Sequence, residues 1–337
     1  MPELPEVETI VRSLKPLVIG RQITGIDFPR SGTSDSSQSG LRQLLANPAG
    51  EFRRKLCGAR IEAVERYGKY IVFRLDRDTA DANGNSRQLF LLVHLGMTGR
   101  LTCEDTPEIR AAHTHMILSM DGFPSGAESL QSLDCGSRGP DSAPAQTEPD
   151  TEAAQSWRFM RSSTALPGGR LRWLHYSDIR RFGSLLLTRQ IPEELSALGP
   201  DPLEISSDQF YLLLRSRRTM LKSLLLDQHC LRGIGNIYAD ESLFRGRIHP
   251  AAIASRLSRK RALQLHQGIR DTLLQAIEQG GSSVSDYVDG QGRTGNFQRL
   301  HQVYRRTGRP CFRCGSRIRK IVISSRSTHF CPRCQRK

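Results

Sequence analysis

Three stretches of this chain carry residue types whose spacing permits chemistry. The first is MPELPEVE, where Pro2 stands ahead of Glu3, Glu6 and Glu8. Met1 is normally trimmed before a small residue, which would leave Pro2 with a free secondary amine. An α-amino group has a pKa of about 7.7–8.0, well below a lysine's, so part of it is unprotonated at neutral pH. Such an amine is a nucleophile that leaves an iminium electron sink after attack on carbon. The acids beside it read either as proton donors or as plain complements to a helix dipole. The second stretch is CFRCGSRIRKIVISSRSTHFCPRC, with Cys311, Cys314, Cys331 and Cys334 spaced C-x2-C-x16-C-x2-C. Two such turns with apolar alternation between them point to one structural Zn2+ on a β-hairpin, the alternative being a redox dithiol pair. The third is DQHCLRGIGNIYADESLF, in which Gly233 and Gly235 precede a helical pattern and Asn236 is placed to cap it. A glycine turn and a helix N-terminus together can cradle a phosphate, or can be an ordinary helix end followed by a helix start.

These groups need elements to hold them. Val7, Ile10, Val11, Leu14 and Val18 recur at helical spacing, and Pro5 suits a first turn, so residues 5–18 are expected to be a helix. Short alternating runs follow, among them RQITGIDF, ARIEAVERYGKYIVFRL, RQLFLLVHLGMTGRL, HTHMILSMDG, GRLRWLHYSD and SLLLT. They predict antiparallel sheets packed as a sandwich. Residues 123–169 are rich in Ser, Gly, Pro, Ala and acids and are expected to be a flexible insertion, with a smaller flexible loop at 30–40. Residues 191–204 read as a linker. Four helical patterns follow in SSDQFYLLLRSR, TMLKSLLLDQHC, NIYADESLFRG and SRKRALQLHQGIRDTLLQAIEQ.

Charge narrows the class of partner. Residues 1–156 carry 17 Lys+Arg against 21 Asp+Glu, while residues 157–337 carry 32 against 13. A basic excess confined to one half fits a polyanion binder better than generic solubility charge. No apolar run approaches the roughly 18 residues of a membrane span, and nothing at the start resembles a targeting peptide. The paired cysteines fit a metal site in a cytoplasmic protein rather than a secreted disulfide framework.

The start PELPEVE, the stretch GIGNIYADE and the four-cysteine ribbon, in that order, resemble the formamidopyrimidine-DNA glycosylase family of bacterial enzymes. The resemblance runs from Pro2 to Arg333, and PELPEVE is closer to this family than to its relative endonuclease VIII. It implies an α+β fold: an N-terminal helix with an antiparallel β-sandwich, a helical helix-two-turn-helix domain, and a C-terminal zinc ribbon. The implied boundaries are 1–190, a linker at 191–204, then 205–300 and 301–337. It also implies a bifunctional glycosylase and AP lyase that removes oxidised purines from duplex DNA by β,δ-elimination. By resemblance Pro2 is the nucleophile, Glu3 the proton shuttle and Glu6 a second buried acid of the pocket. Lys69, which the pattern RYGKYIVF places on a strand, is the proton donor for β-elimination, and Arg326, in the turn of the zinc hairpin, grips the flanking phosphates.

An enzyme that acts on a base within a duplex must extrude it and fill the gap. Met97 in HLGMTG and Phe182 in IRRFG are the candidate wedges, and Arg180 the partner of the orphaned cytosine; each apolar residue alone reads equally as core. His113, Arg217, Lys222 and Asn236 match DNA-contact positions of the family, and residues 280–298 resemble its mobile loop over the extruded purine. The chain departs from the family pattern at Thr114, where an acid is usual, at Ile179, where a proline is usual, and in the 123–169 insertion. The implied partner is double-stranded DNA with oxidised bases, bound by a monomer that works at the bacterial nucleoid. The alternatives are an enzyme for oxidised pyrimidines and a non-catalytic zinc-dependent DNA-binding protein.

Overall fold

The computed structural model describes residues 2–29, 44–77, 88–108, 113–121, 172–284 and 286–336. Met1 and the expected flexible stretches at 30–40 and 123–169 lie outside the described residues. Helix α1 (Leu4–Val18) buries Val7, Ile10, Val11, Leu14 and Val18 on one face, as their spacing predicts. Each buried aliphatic side chain contributes about 1.5–3 kcal/mol, so this stripe anchors the helix that carries the N-terminal acids.

Among the described residues, eight strands form two antiparallel four-stranded sheets. One is ordered β2 (Ala59–Tyr67), β3 (Tyr70–Arg77), β4 (Leu89–His94) and β8 (Ser184–Thr188). The other is ordered β1 (Ile23–Asp27), β6 (Thr114–Met120), β7 (Arg172–Ser177) and β5 (Arg100–Glu104). Alternation decides which side chains meet. Ile71, Phe73 and Leu75 of β3 join Leu101, Met116, Leu118 and Tyr176 of the second sheet and the α1 stripe in one core. Val72 and Leu92 face the other way, onto Leu195 of the short helix α3 (Glu193–Ser196). A further helix, α2 (Ala49–Leu56), contributes Phe52 and Leu56 to the main core.

A second core is helical. It is built by α4 (Ser207–Arg215), α5 (Leu221–Leu226), α6 (Asn236–Arg245) and α7 (Arg259–Glu278), and it takes in Leu4 from the start of α1. The N-terminal helix therefore belongs to both cores, and its first turn lies where they meet. Residues 191–204 are packed rather than slack: Asp201 is 3 % exposed and pairs with Arg66 at 2.7 Å, and Arg66 also reaches Glu8 at 2.9 Å.

The chain ends in a hairpin of β9 (Arg319–Ile323) and β10 (Arg326–Phe330). Its two-residue turn places Ser324 and Ser325 at φ 50° and 57°, the type I′ pattern that matches strand twist. Phe244 of α6 packs with Val303, Ile318, Cys311 and Cys331 to seat this module on the helical core.

Candidate active site and metal centre

The pocket nearest α1 is about 350 Å³ of space open to solvent, lined by Pro2, Glu6, Met97, Ile237, Ser282 and Tyr287 among others. Pro2 is buried at its floor. Glu3, next in the chain, reaches the start of α6, whose Ile237 also lines the pocket. It is 4 % exposed, and its carboxylate accepts from the backbone N–H groups of Gly235 at 2.9 Å, Ile237 at 3.0 Å and Tyr238 at 3.3 Å. The anion at this helix N-terminus is therefore the chain's own Glu3, not an external phosphate. Leu4 accounts for the other glycine: a Cβ on Gly233, which has φ +94°, would stand 2.9 Å from that of Leu4. Asn236 is the first residue of α6 rather than its cap, which is Gly235.

Glu6 completes the floor. Its Oε2 accepts from Glu3 N at 2.8 Å, and its Oε1 accepts from Ser282 N at 2.7 Å and from the Tyr238 hydroxyl. Ser282 Oγ lies 3.1 Å from His301 Nε2. Burial and then the charge of Glu3 push Glu6 up to about 7. Burial raises Glu3 as well, against the charge of Lys69 and the N–H groups of Ile237 and Tyr238. Lys69 moves down, mainly through burial; the charges of Glu3 and Glu6 oppose that and the charge of Arg326 reinforces it. The two carboxyls move up and the lysine moves down, so the difference in proton affinity between them narrows, which favours proton transfer.

Glu6 gives a stability signature. Its folded pKa of about 7 lies above the ordinary 4.5, so the folded chain holds this proton more tightly. The resulting stabilisation is complete at low pH and is lost as pH rises from about 4.5 through 7. Between those limits the wild type should lose about 1.4 kcal/mol per pH unit relative to Glu6→Gln, with no further divergence above. Thermal melts of both proteins across pH 5–8 read this slope difference, and parallel curves would contradict it.

Lys69 is not on a strand. With Gly68 (φ +60°) it forms the two-residue turn between β2 and β3, where Tyr67 pairs with Tyr70. The turn is braced from outside by Arg232, whose guanidinium lies 4.4 Å from the Tyr67 ring centre. Arg326 is the first residue of β10, just past the Ser324–Ser325 turn, and exposed.

Met97 and Phe182 are 41 % and 52 % exposed, so neither is core. The Arg180 guanidinium stacks 4.6 Å from the Phe182 ring centre. The hub behind them is Asp178, fully buried, which accepts from Thr98 Oγ1 at 2.6 Å, Arg180 N at 3.2 Å and Gly183 N at 2.8 Å. No local pattern singled out Asp178. Tyr238 and Ser282 were also missed, the first because it reads as a helix core residue. His113 is exposed at φ 63° and accepts Asp178 N with its carbonyl, while Thr114 is buried against Ser177. Arg217 is exposed.

Lys222 does not take the DNA-contact position that the resemblance implies. It is 0 % exposed, salt-bridged to Asp240, and its ammonium cannot reach a phosphate. The apolar run around it, MLKSLLL, turns its face inward against α6. Within residues 280–298, Gly290 N donates to Ser13 Oγ of α1 at 2.8 Å and Tyr287 is 8 % exposed, while residues 291–294 are exposed.

The sulfurs of Cys311, Cys314, Cys331 and Cys334 all lie within 4.8 Å of one another, with Cys311 to Cys334 at 4.0 Å and Cys314 to Cys331 at 3.4 Å. A tetrahedron with zinc–sulfur bonds of about 2.3 Å has edges of about 3.8 Å. A disulfide would need about 2.05 Å. The set fits one structural zinc.

Three family profiles match the chain: the formamidopyrimidine-DNA glycosylase N-terminal domain over residues 1–135, the H2TH domain of the same glycosylase over 198–288, and the zinc finger found in FPG and IleRS over 308–336. The chain is 39 % identical to a formamidopyrimidine-DNA glycosylase of Solibacter usitatus over the whole of both chains. It is 38 % identical to one of Thermomicrobium roseum, covering 99 % of each. Among solved structures, it is similar to the Lactococcus lactis Fpg bound to DNA containing an abasic site, with 28 % identity, a TM-score of 0.72, and 99 % of this chain and 100 % of that one covered. It is also similar to the MutM (FPG) protein of Thermus thermophilus, with 32 % identity, a TM-score of 0.68, and 99 % and 98 % covered.

Proposed function

The chain belongs to the formamidopyrimidine-DNA glycosylase family, and on that premise we propose that it excises oxidised purines such as 8-oxoguanine and formamidopyrimidines from duplex DNA and then cleaves the strand. The carrying observation is the pocket where Pro2 and Glu6 share one floor beside Met97, with Glu3 buried next to them. A base must leave the duplex to enter such a site. The exposed Met97 and Phe182 suit the gap left behind, and Arg180 the unpaired base opposite.

The chemistry follows from the amine. Pro2 nitrogen attacks the sugar C1′ as the bond to the damaged base breaks, and Glu3 delivers the proton that the leaving base and sugar require. The product is an iminium between Pro2 and the opened sugar, which acidifies the neighbouring C2′–H; Glu3, left as the carboxylate, takes that proton as the C3′–O bond breaks and the 3′-phosphate leaves. Lys69, lowered in proton affinity by burial and close to Glu3, donates a proton in that step, and Arg326 grips the phosphates flanking the lesion and assists the second elimination, at the phosphate on the 5′ side. His113, Arg217 and Asn236 hold the backbone through phosphate contacts, which position the duplex without reading sequence. Pro2, Glu6, Lys69 and Arg326 all come from one copy, so a monomer suffices. Among the described residues no helix is long and apolar enough to cross a membrane.

The four cysteines would hold the zinc, which when bound supplies a rigid tetrahedral cross-link and no reacting atom. A Cys331→Ser chain should lose its one equivalent of zinc and weaken DNA binding at least about tenfold, because the hairpin base is left untied. Metal analysis beside a binding titration reads both; full zinc with the Ser variant would contradict the ligand set.

Borohydride reduction in the presence of 8-oxoguanine:C duplex tests the activity. An intact mass increased by the trapped DNA supports the iminium; binding without any adduct would leave only a zinc-dependent DNA-binding protein. Faster action on thymine glycol than on 8-oxoguanine would move the substrate to oxidised pyrimidines.

A further inference from the structure

Lys222 has no task in the site described above, yet it sits at the contact of three elements. Its ammonium donates to Asp240 Oδ1 and, at 3.3 Å, to the carbonyl of Ser327. Both Lys222 and Asp240 are 0 % exposed. Asp240 Oδ2 accepts from His329 N and lies against His329 Nδ1, both at 2.9 Å. One residue past Lys222, the Ser223 hydroxyl meets that of Ser324 at 2.7 Å. Helix α5, helix α6 and the zinc hairpin are thus joined at Ser324, Ser327 and His329. A buried ion pair is rarely more stabilising than packed apolar side chains, but it fixes geometry.

What it fixes here is the hairpin tip. The cysteines tie only the hairpin base, and five residues of β10 lie between Cys331 and the turn, a reach of about 17 Å at about 3.4 Å per residue. Zinc alone leaves that tip unguided. Arg326 stands between the two anchored positions, Ser324 and Ser327, with its charge felt at Lys69.

We propose that Lys222 and Asp240 are positioning residues for Arg326: a buried clasp between the helical core and the hairpin tip that sets the guanidinium at the site of strand cleavage. The inference rests on the reading of Arg326 given above. It predicts a defect in the second elimination, which leaves a 3′-phosphate, and not in base removal or in the first elimination.

The test is the double variant Lys222→Met/Asp240→Asn, which removes both charges together and retains an oxygen for the His329 N–H. Expected are one zinc per chain, wild-type borohydride trapping and base release, and a fall of about tenfold in the ratio of second- to first-elimination product. Arg326→Ala should show the same fall. A wild-type ratio in the double variant, with a reduced one in Arg326→Ala, overturns the clasp. A parallel loss of zinc, melting temperature and base release with the ratio unchanged also overturns it, since that is a merely structural role. A wild-type ratio in Arg326→Ala shows instead that the reading of Arg326 has failed, and the clasp with it. Asp240→Asn alone carries the same readout if the double variant does not fold.

Discussion

A chain that keeps any residue ahead of Pro2 should form no borohydride-stable adduct with 8-oxoguanine DNA. Pro2 is buried on the floor of the pocket, and an acylated nitrogen there has its lone pair drawn into the peptide bond. It can neither attack carbon nor form an iminium. The expected loss of base release is at least about a thousandfold, equivalent to about 4 kcal/mol of transition-state stabilisation. Pro2→Gly keeps a free amine but loses the ring that holds it in the pocket, so its adduct yield should fall while remaining measurable. Intact mass establishes whether Met1 is present in each preparation. Full excision by a protein shown to retain Met1 would remove Pro2 from the mechanism.

The second large effect is expected at Gly235, which touches no substrate in this scheme. A Cβ there would lie 2.4 Å from Glu3 Cδ and 2.5 Å from its Oε1. Both distances are inside van der Waals contact, so Gly235→Ala must push the Glu3 carboxylate away. The cost is the set of bonds from Gly235, Ile237 and Tyr238, each charge-assisted and contributing about 1.5–3 kcal/mol when buried. Base release should fall about 100-fold or more, the scale of a lost general acid, and the melting temperature should drop. In a Glu3→Gln background the same substitution should add little to the catalytic loss, because the two residues act as one unit. An alanine variant with unaltered turnover would mean that the Glu3 position is not constrained by this contact.

Much of the architecture was legible because its signals are periodic or compositional. The α1 stripe, the alternating strands and the four helical runs each repeat a local rule, and the observed elements follow them. The cysteine ribbon was legible for the same reason: four identical ligands at paired spacing have few other uses. The wedge residues were half legible. Met97 and Phe182 are apolar side chains whose exposure no single sequence reveals, and it comes from the Asp178 hub, which bonds two loops far apart in the chain.

The misreadings share one cause. Asn236 was expected as a cap, but the helix start is satisfied by Glu3 from more than 200 residues away. The resemblance makes Lys222 a DNA contact, but Asp240 and the hairpin carbonyl draw it inside. Lys69 is expected in a strand, but Gly68 turns the chain there, and Lys69 feels the charges of Glu3 and Glu6.

The amino-acid sequence by itself determined the chemical inventory: a terminal imino acid, adjacent carboxyls, four thiolates and a basic second half. Those are properties of residue type and spacing, and they survive in any fold. Only the tertiary structure decided which charges face each other, and therefore which anion occupies the start of α6 and which lysine stays near the reacting groups. Proton affinity depends on burial and on charges a few ångströms away, and both are set by chain segments that sequence order keeps apart.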